Sequence, residues 1–247
     1  MPHRTALRST PSPSEGNELR FCGTCAFSRA CLGEGLDKAA LRELQCLVEH
    51  IGPFQPGEYL FREGDPFTAI AAVRTGTVKT FSVDSVGREQ VLGFFLPGEV
   101  IGFNAIHSAR FPCSVMALDT VMLCRFSFPS MAALATRISS LQSLLFRLLS
   151  QEIKKAALLA GDFTADERVA AFLLGFSRHY ASRGYSAHRF TLAMPRADIA
   201  NYLRLAAETV SRVMRRFQDE GLIAVNRREV ELLDIERLEY LAQPVLR

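Results

Sequence analysis

The sequence predicts an α+β protein: an N-terminal β-roll, one long helix, and a C-terminal winged helix-turn-helix. Three observations carry this. Short apolar runs separated by turn residues fill positions 54–128, a helical pattern occupies 129–160, and two short amphipathic helices from 196 onward lead into a hairpin-like tail. Many short strands with turns at regular spacing favour a roll or barrel. Helices joined by a tight turn and followed by a small hairpin favour a wing.

The elements follow in order. Residues 1–20 are polar, rich in Ser and Pro, and lack an apolar stretch. They are expected to form a mobile arm rather than a secretory signal, which places the chain in the cytoplasm. Residues 37–51 carry Leu41, Leu44, Leu47, Val48 and Ile51 at helical spacing, with Asp37 as N-cap. The strand runs of the roll include "AIAAV", "TVKTFSV", "QVLGFF", "CSVMAL" and "VMLCRF", with turns at Pro56-Gly57, Gly64-Asp65, Gly76, Ser85–Gly87 and Pro97-Gly98. Two stripes run along the long helix. Leu141, Leu144, Leu145 and Leu148 form one, expected to rest on the roll; Phe146, Leu149, Ile153, Ala156 and Ala160 form the other, expected to meet a twin helix. Burial of both stripes within one chain is the alternative. Helices are then expected at 164–183, 196–203 and 207–220, followed by the β-like "LIAVNRREVELLD". The division is an arm at 1–36, a sensor roll at 37–134, a dimerisation helix at 135–161 and a DNA-binding domain at 162–247.

Composition narrows the function. The chain has 247 residues, 48% hydrophobic and 22% charged, which describes a folded protein of about two domains. No apolar run reaches the roughly 18 residues a membrane span needs. No H-E-x-x-H, G-x-S-x-G or phosphate-binding loop occurs, and His3, His50, His107, His179 and His188 do not pair at ligand spacing, so an enzyme is not expected. Net charge is only +3, but the last third concentrates arginine. Double-stranded DNA is the partner that concentration suits.

The stretch "RADIANYLRLAAETVSRVMRRFQDEGLI" is the most informative. Its second helix, from Glu208 to Phe217, buries Val210, Val213, Met214 and Phe217 and turns Glu208, Ser211, Arg212 and Arg215 outward. Glu accepts from cytosine N4, Arg forks onto guanine O6 and N7, and Ser serves base or phosphate. Glu208, Ser211 and Arg212 are therefore the candidate base contacts. Arg215, Arg216, Arg227 and Arg228 are the candidate phosphate contacts, giving affinity and salt dependence.

Three cysteines crowd "FCGTCAFSRACL": Cys22, Cys25 and Cys31, in a C-x2-C-x5-C pattern. In a chain without a secretory signal such clusters hold metal more often than structural disulfides. Spacing alone leaves an iron–sulfur cluster and a zinc site equally open. A dithiol switch is a third reading, with only Arg20 and Arg29 nearby to lower a thiol pKa.

The motifs "CGTCAFSRAC", "GFFLPGEVIGF", "LLSQEIK" and "IANYLRLAAETVSRVMRRFQDEGLI" together resemble the Crp/Fnr superfamily of bacterial transcription regulators. Within it they are most similar to the fumarate-and-nitrate-reductase (Fnr/Anr) type, its oxygen-sensing iron–sulfur branch. The resemblance runs from Phe21 to about Leu238. It implies a cyclic-nucleotide-binding-like roll and a homodimer whose [4Fe–4S] cluster is held by Cys22, Cys25, Cys31 and Cys124, with Cys113 as the rival for the last place. It also implies that Glu208, Ser211 and Arg212 read a TTGAT-like half-site, repeated as an inverted pair across four bases. Cyclic-AMP-binding relatives have Arg where this chain has Ala207, and relatives often cap the recognition helix with a hydroxyl where it has Ala206. The Arg-Ser/Thr pair that grips a cyclic phosphate is missing from "RFPCSV", where Phe111 and Pro112 stand, so no cyclic nucleotide is expected. Cys46 is expected to be a small buried thiol. The turn "VDSVGREQ" is a candidate RNA polymerase contact through Arg88. The alternative function is a regulator of the same fold with structural zinc or a small-molecule ligand in the roll.

Overall fold

The computed structural model describes residues 31–158 and 161–246. Cys22, Cys25 and Ala160 lie outside the described residues, as do the side chain of Ala156 and residues 1–30 of the arm expected at 1–36. The chain divides into two compact units, one of residues up to Ser82 with Phe94–Leu148, the other Val83–Gly93 with 149 onward.

In the first unit, helix α1 (Lys38–Gln45) starts where the sequence places it. The Asp37 carboxylate accepts from the Ala40 backbone N–H at 2.8 Å. The helix then stops short of the expected Ile51, because Val48–Phe54 is strand β1, paired antiparallel with β8 (Val121–Ser127). Val48 and Ile51 fit a helical spacing, but long-range pairing decides their conformation; Leu47 lies in the turn between, its N–H on the Leu44 carbonyl at 3.1 Å. Cys46, the C-cap of α1, is exposed rather than buried on the apolar side.

Strands β2 (Tyr59–Phe61), β3 (Ala69–Thr75), β4 (Val78–Val83), β5 (Glu89–Phe95), β6 (Val100–Ile101) and β7 (Ser114–Ala117) complete two four-stranded sheets, ordered β1-β8-β3-β6 and β2-β7-β4-β5. Ile51, Leu60, Ala71, Val73, Val78, Ile101, Val115, Ala117, Val121 and Leu123 fill the space between them. Alternation along each strand puts their sequence neighbours on the outer faces. Gly76 turns β3 into β4 at φ +79°, where a Cβ would overlap Asp119 and the Thr120 carbonyl. Only glycine fits there.

The expected single helix over 129–160 is two: α2 (Phe128–Arg137) and α3 (Ser139–Leu158). Ile138 separates them with extended dihedrals, φ −118° and ψ 97°. The two stripes of α3 behave differently. Leu141 and Leu144 are buried, whereas Phe146 is 62% and Ile153 71% exposed, with Leu149 half-buried.

The second unit contains α4 (Ala165–Ala181), α5 (Arg196–Leu203), α6 (Ala207–Asp219) and a three-stranded sheet of β9 (Arg189–Thr191), β10 (Ile223–Asn226) and β11 (Glu229–Leu232), ordered β10-β11-β9. Thr164 and Glu167 close a capping box at the start of α4. Two elements were not expected from the sequence: β9 (Arg189–Thr191), which makes the wing three-stranded beside β11 (Glu229–Leu232), and α7 (Ile235–Leu246), which packs on α4. The Val83–Gly93 hairpin belongs to this unit through Asn201 of α5. Its side-chain amide accepts from the Val91 N–H at 2.8 Å and donates to the Glu89 carbonyl at 2.7 Å.

Candidate DNA interface and thiol site

The recognition helix α6 has its apolar and polar halves where the sequence puts them. Val210, Val213, Met214 and Phe217 are no more than 4% exposed, while Glu208, Ser211, Arg212, Arg215 and Arg216 are all exposed. Two features fix the turn before it. Arg204 ends α5 in the left-handed region, φ 58° and ψ 41°, and the Leu205 N–H closes onto the Ala200 carbonyl at 2.9 Å. From α4, the Arg168 guanidinium donates to the carbonyls of Leu203 (3.3 Å), Phe163 (3.0 Å) and Gly161 (2.8 Å). That grip sets the end of α5 and hence the direction in which α6 leaves.

Ala206 is the N-cap of α6, with extended dihedrals and no side-chain hydrogen bond. Ser211 Oγ donates back to the Ala207 carbonyl at 2.9 Å, and Arg212 donates to Thr209 Oγ1 at 3.3 Å. Both contacts are local and exposed, so a base edge or phosphate can replace them. Arg216 differs from its neighbours in that its guanidinium pairs with Asp166 in the first turn of α4. The wing carries Arg227 and Arg228 as the two turn residues between β10 (Ile223–Asn226) and β11. Arg227 has φ 56°, a region glycine would occupy without strain. A two-residue turn built of arginines in this conformation costs stability and presents two cations at the tip.

Cys31, Cys46, Cys113 and Cys124 are thiols rather than disulfide halves. Cys124 lies on β8, where its neighbour Leu123 points into the core between the sheets; Cys124 therefore points to the outer face. There it is half-buried, paired in register with His50 on β1 and Ala72 on β3. Burial, and secondly the Arg74 charge, hold the His50 pKa below its ordinary value. Cys31, at the start of the described chain, is also half-buried. Cys113 is a different kind of thiol. It is 2% exposed and accepts from Asn104 Nδ2 at 3.3 Å, and burial raises its pKa, which disfavours the thiolate a metal needs. Thiolate chemistry at Cys31 and Cys124 fits an iron–sulfur or zinc centre; among the described residues no three ligand side chains gather by themselves.

Phe111 is buried and stacks on half-buried Phe61 with ring centroids 4.3 Å apart, and Phe67 meets it edge-on at 5.6 Å. Arg110 is turned to the Gly64 carbonyl at 2.7 Å. In the 83–93 turn, Asp84 accepts from the backbone of Val86 and Arg88 and pairs with the Arg88 guanidinium at 2.8 Å. Arg88 thus brings no uncompensated charge to the turn, and Val86, 71% exposed, is what stands out from it. Sequence reasoning passed over Asp166, His50, Asn201 and Arg168, whose roles come from partners distant in the chain.

A roll of this strand order with a winged helix-turn-helix, whose recognition helix is bare and polar on one side, defines a DNA-binding regulator. Residues 52–137 match the cyclic nucleotide-binding domain and residues 167–241 the Crp-like helix-turn-helix domain. Over 224 residues the chain is 42% identical to the transcriptional activator protein anr of Pseudomonas aeruginosa, covering 90% of this chain and 92% of that one. It is 38% identical over 245 residues to the fumarate and nitrate reduction regulatory protein of Salmonella typhi, covering 98% and 97%. The structure of FixK2 from Bradyrhizobium japonicum superposes with a TM-score of 0.70 at 28% identity, over 78% of this chain and 96% of that one. The chain belongs to the Crp/Fnr family of transcription regulators, and is a regulator rather than an enzyme. No helix among the described residues is long and apolar enough to cross a membrane.

Proposed function

We propose that this chain is an oxygen-responsive regulator, acting in the cytoplasm, that dimerises when it holds a [4Fe–4S] cluster and then binds a TTGAT-like inverted repeat. The observation that carries the reading is the contrast between two thiols. Cys124 is half-buried on the outer face of the roll, while Cys113 is sealed inside with a raised pKa. This supports Cys124 over Cys113 as the fourth ligand beside Cys22, Cys25 and Cys31. The names of the relatives, transcriptional activator protein anr and fumarate and nitrate reduction regulatory protein, support the regulatory role itself. The group would supply an oxidisable iron centre that dioxygen destroys.

The chain's own residues do the rest. The four thiolates would tie the arm (1–36) to the roll (37–134) and bias the dimerisation helix (135–161) toward its twin. Exposed Phe146 and Ile153, with Leu149, would form the seam, continued by Ala156 and Ala160. Two DNA-binding domains (162–247) would then sit about one helical turn apart on DNA. Glu208, Ser211 and Arg212 would read bases, and Arg215, Arg227 and Arg228 would hold phosphates; Arg216 would first have to exchange Asp166 for a phosphate. RNA polymerase would meet the 83–93 turn through Val86 rather than through the charge of Arg88. The stacked Phe61 and Phe111 support a roll that takes no cyclic nucleotide.

The test is anaerobic purification, with iron, sulfide and zinc counted per chain beside the visible spectrum. Iron and sulfide in equal amounts, bleached by air, are expected, with the cluster lost in Cys124→Ser and kept in Cys113→Ser. A colourless zinc protein would remove the oxygen mechanism and leave the DNA reading standing.

A further inference from the structure

We propose that His50 is a positioning residue for the thiol site, donating a hydrogen bond to the sulfur of Cys124 and so setting how readily the bound centre is oxidised. The inference rests on the iron–sulfur reading above. Its own support is the register of the outer sheet. His50 on β1 stands directly across from Cys124 on β8, and Ala72 on β3 stands across on the other side. Directly opposed residues of antiparallel strands have Cβ atoms about 4.5–5.5 Å apart, within reach of one imidazole. Both side chains share the outer face, because Ile51 and Leu123 beside them fill the interior. Of the two cross-strand neighbours of Cys124, Ala72 is a buried methyl and only His50 carries a donor. An imidazole has at least one N–H whether neutral or protonated, so the role does not depend on its charge state.

A hydrogen bond to a ligating sulfur withdraws charge from it and favours the more reduced state of the metal. A bound iron–sulfur centre would supply an electron that dioxygen, the oxidant, could take up to become superoxide. A donor at position 50 makes that electron harder to remove. His50→Leu keeps bulk and removes the donor; His50→Gln keeps a donor. Both would be prepared anaerobically as full chains beside the wild type, with iron and sulfide counted first, then the midpoint potential and the rate at which air bleaches the visible band.

The expected result is equal iron and sulfide in all three proteins, a lower potential and roughly three- to tenfold faster bleaching in His50→Leu, and substantial recovery in His50→Gln. Equal potentials and rates in wild type and His50→Leu would overturn the proposal while leaving the cluster in place. Equal failure of both variants to assemble the centre would overturn it in favour of packing. Zinc without sulfide in the wild type would instead strike down the functional reading on which it stands.

Discussion

Ala206→Ser should raise the stability of the DNA-binding unit by about 1 kcal/mol. Ala206 has the backbone of an N-cap, φ −71° and ψ 147°, and no side-chain acceptor for the first turn of α6. Its carbonyl takes both the Thr209 N–H at 3.0 Å and the Val210 N–H at 3.1 Å. A serine hydroxyl there would accept from Glu208 or Thr209 without disturbing those bonds, and the exposure of position 206 leaves room for it. Caps of this kind contribute about 0.5–2 kcal/mol. In a chain of this size that is a rise in melting temperature of about 2–4 °C per kcal/mol, and about twice as much if the DNA-binding unit melts alone. Thermal unfolding followed by far-UV circular dichroism would measure it, with Ala206→Val as the control that adds bulk but no acceptor. If serine and valine variants melt together, the missing cap is not what limits α6.

Asp166→Asn removes the carboxylate that holds Arg216, so DNA affinity should rise and the salt dependence of binding should steepen by about one counterion; an unchanged slope in titrations at several salt concentrations would show that Arg216 never reaches phosphate. Phe146→Glu combined with Ile153→Glu should leave the melting of the single chain nearly untouched, since both side chains are exposed, yet abolish self-association of the loaded protein. Sedimentation of the anaerobic variant checks this, and a persistent dimer would move the seam elsewhere. Burial raises the Cys113 pKa above that of the unfolded chain, so its contribution to stability is intact below the ordinary thiol value of 9.0 and is lost as pH rises beyond it. Denaturation midpoints at about pH 7 and pH 10 should therefore differ more in wild type than in Cys113→Ala.

The DNA-reading half was legible because its signals are local. A period of 3.6 fixed which side of α6 is buried, and Val210, Val213, Met214 and Phe217 are in fact its buried residues. The roll was legible from its turns, which concentrate glycine where φ is positive. What failed depended on distant partners. Val48 and Ile51 continue the helical spacing of α1, but β8 claims them as strand. Ile138 breaks the long helix without Gly or Pro to mark it. β9 is only three residues of mixed polarity and is a strand because β11 lies beside it. Arg216 looks like its neighbours in sequence; only the fold brings Asp166, fifty residues earlier, against it. Cys113 and Cys124 were rivals in the sequence; the fold buries Cys113 against Asn104 just before β7, whereas alternation along β8 turns Cys124 to the outer face.

The aromatic filling of the roll has a mechanical consequence. A hollow sensor domain is soft when empty and stiffens when a ligand enters, so its rigidity is itself part of the signal. With Phe111 stacked on Phe61 and met edge-on by Phe67, this part of the roll is already packed. Close-packed interiors compress little and pass strain onward. A force reaching this aromatic cluster would therefore be passed along its packed rings instead of being absorbed there.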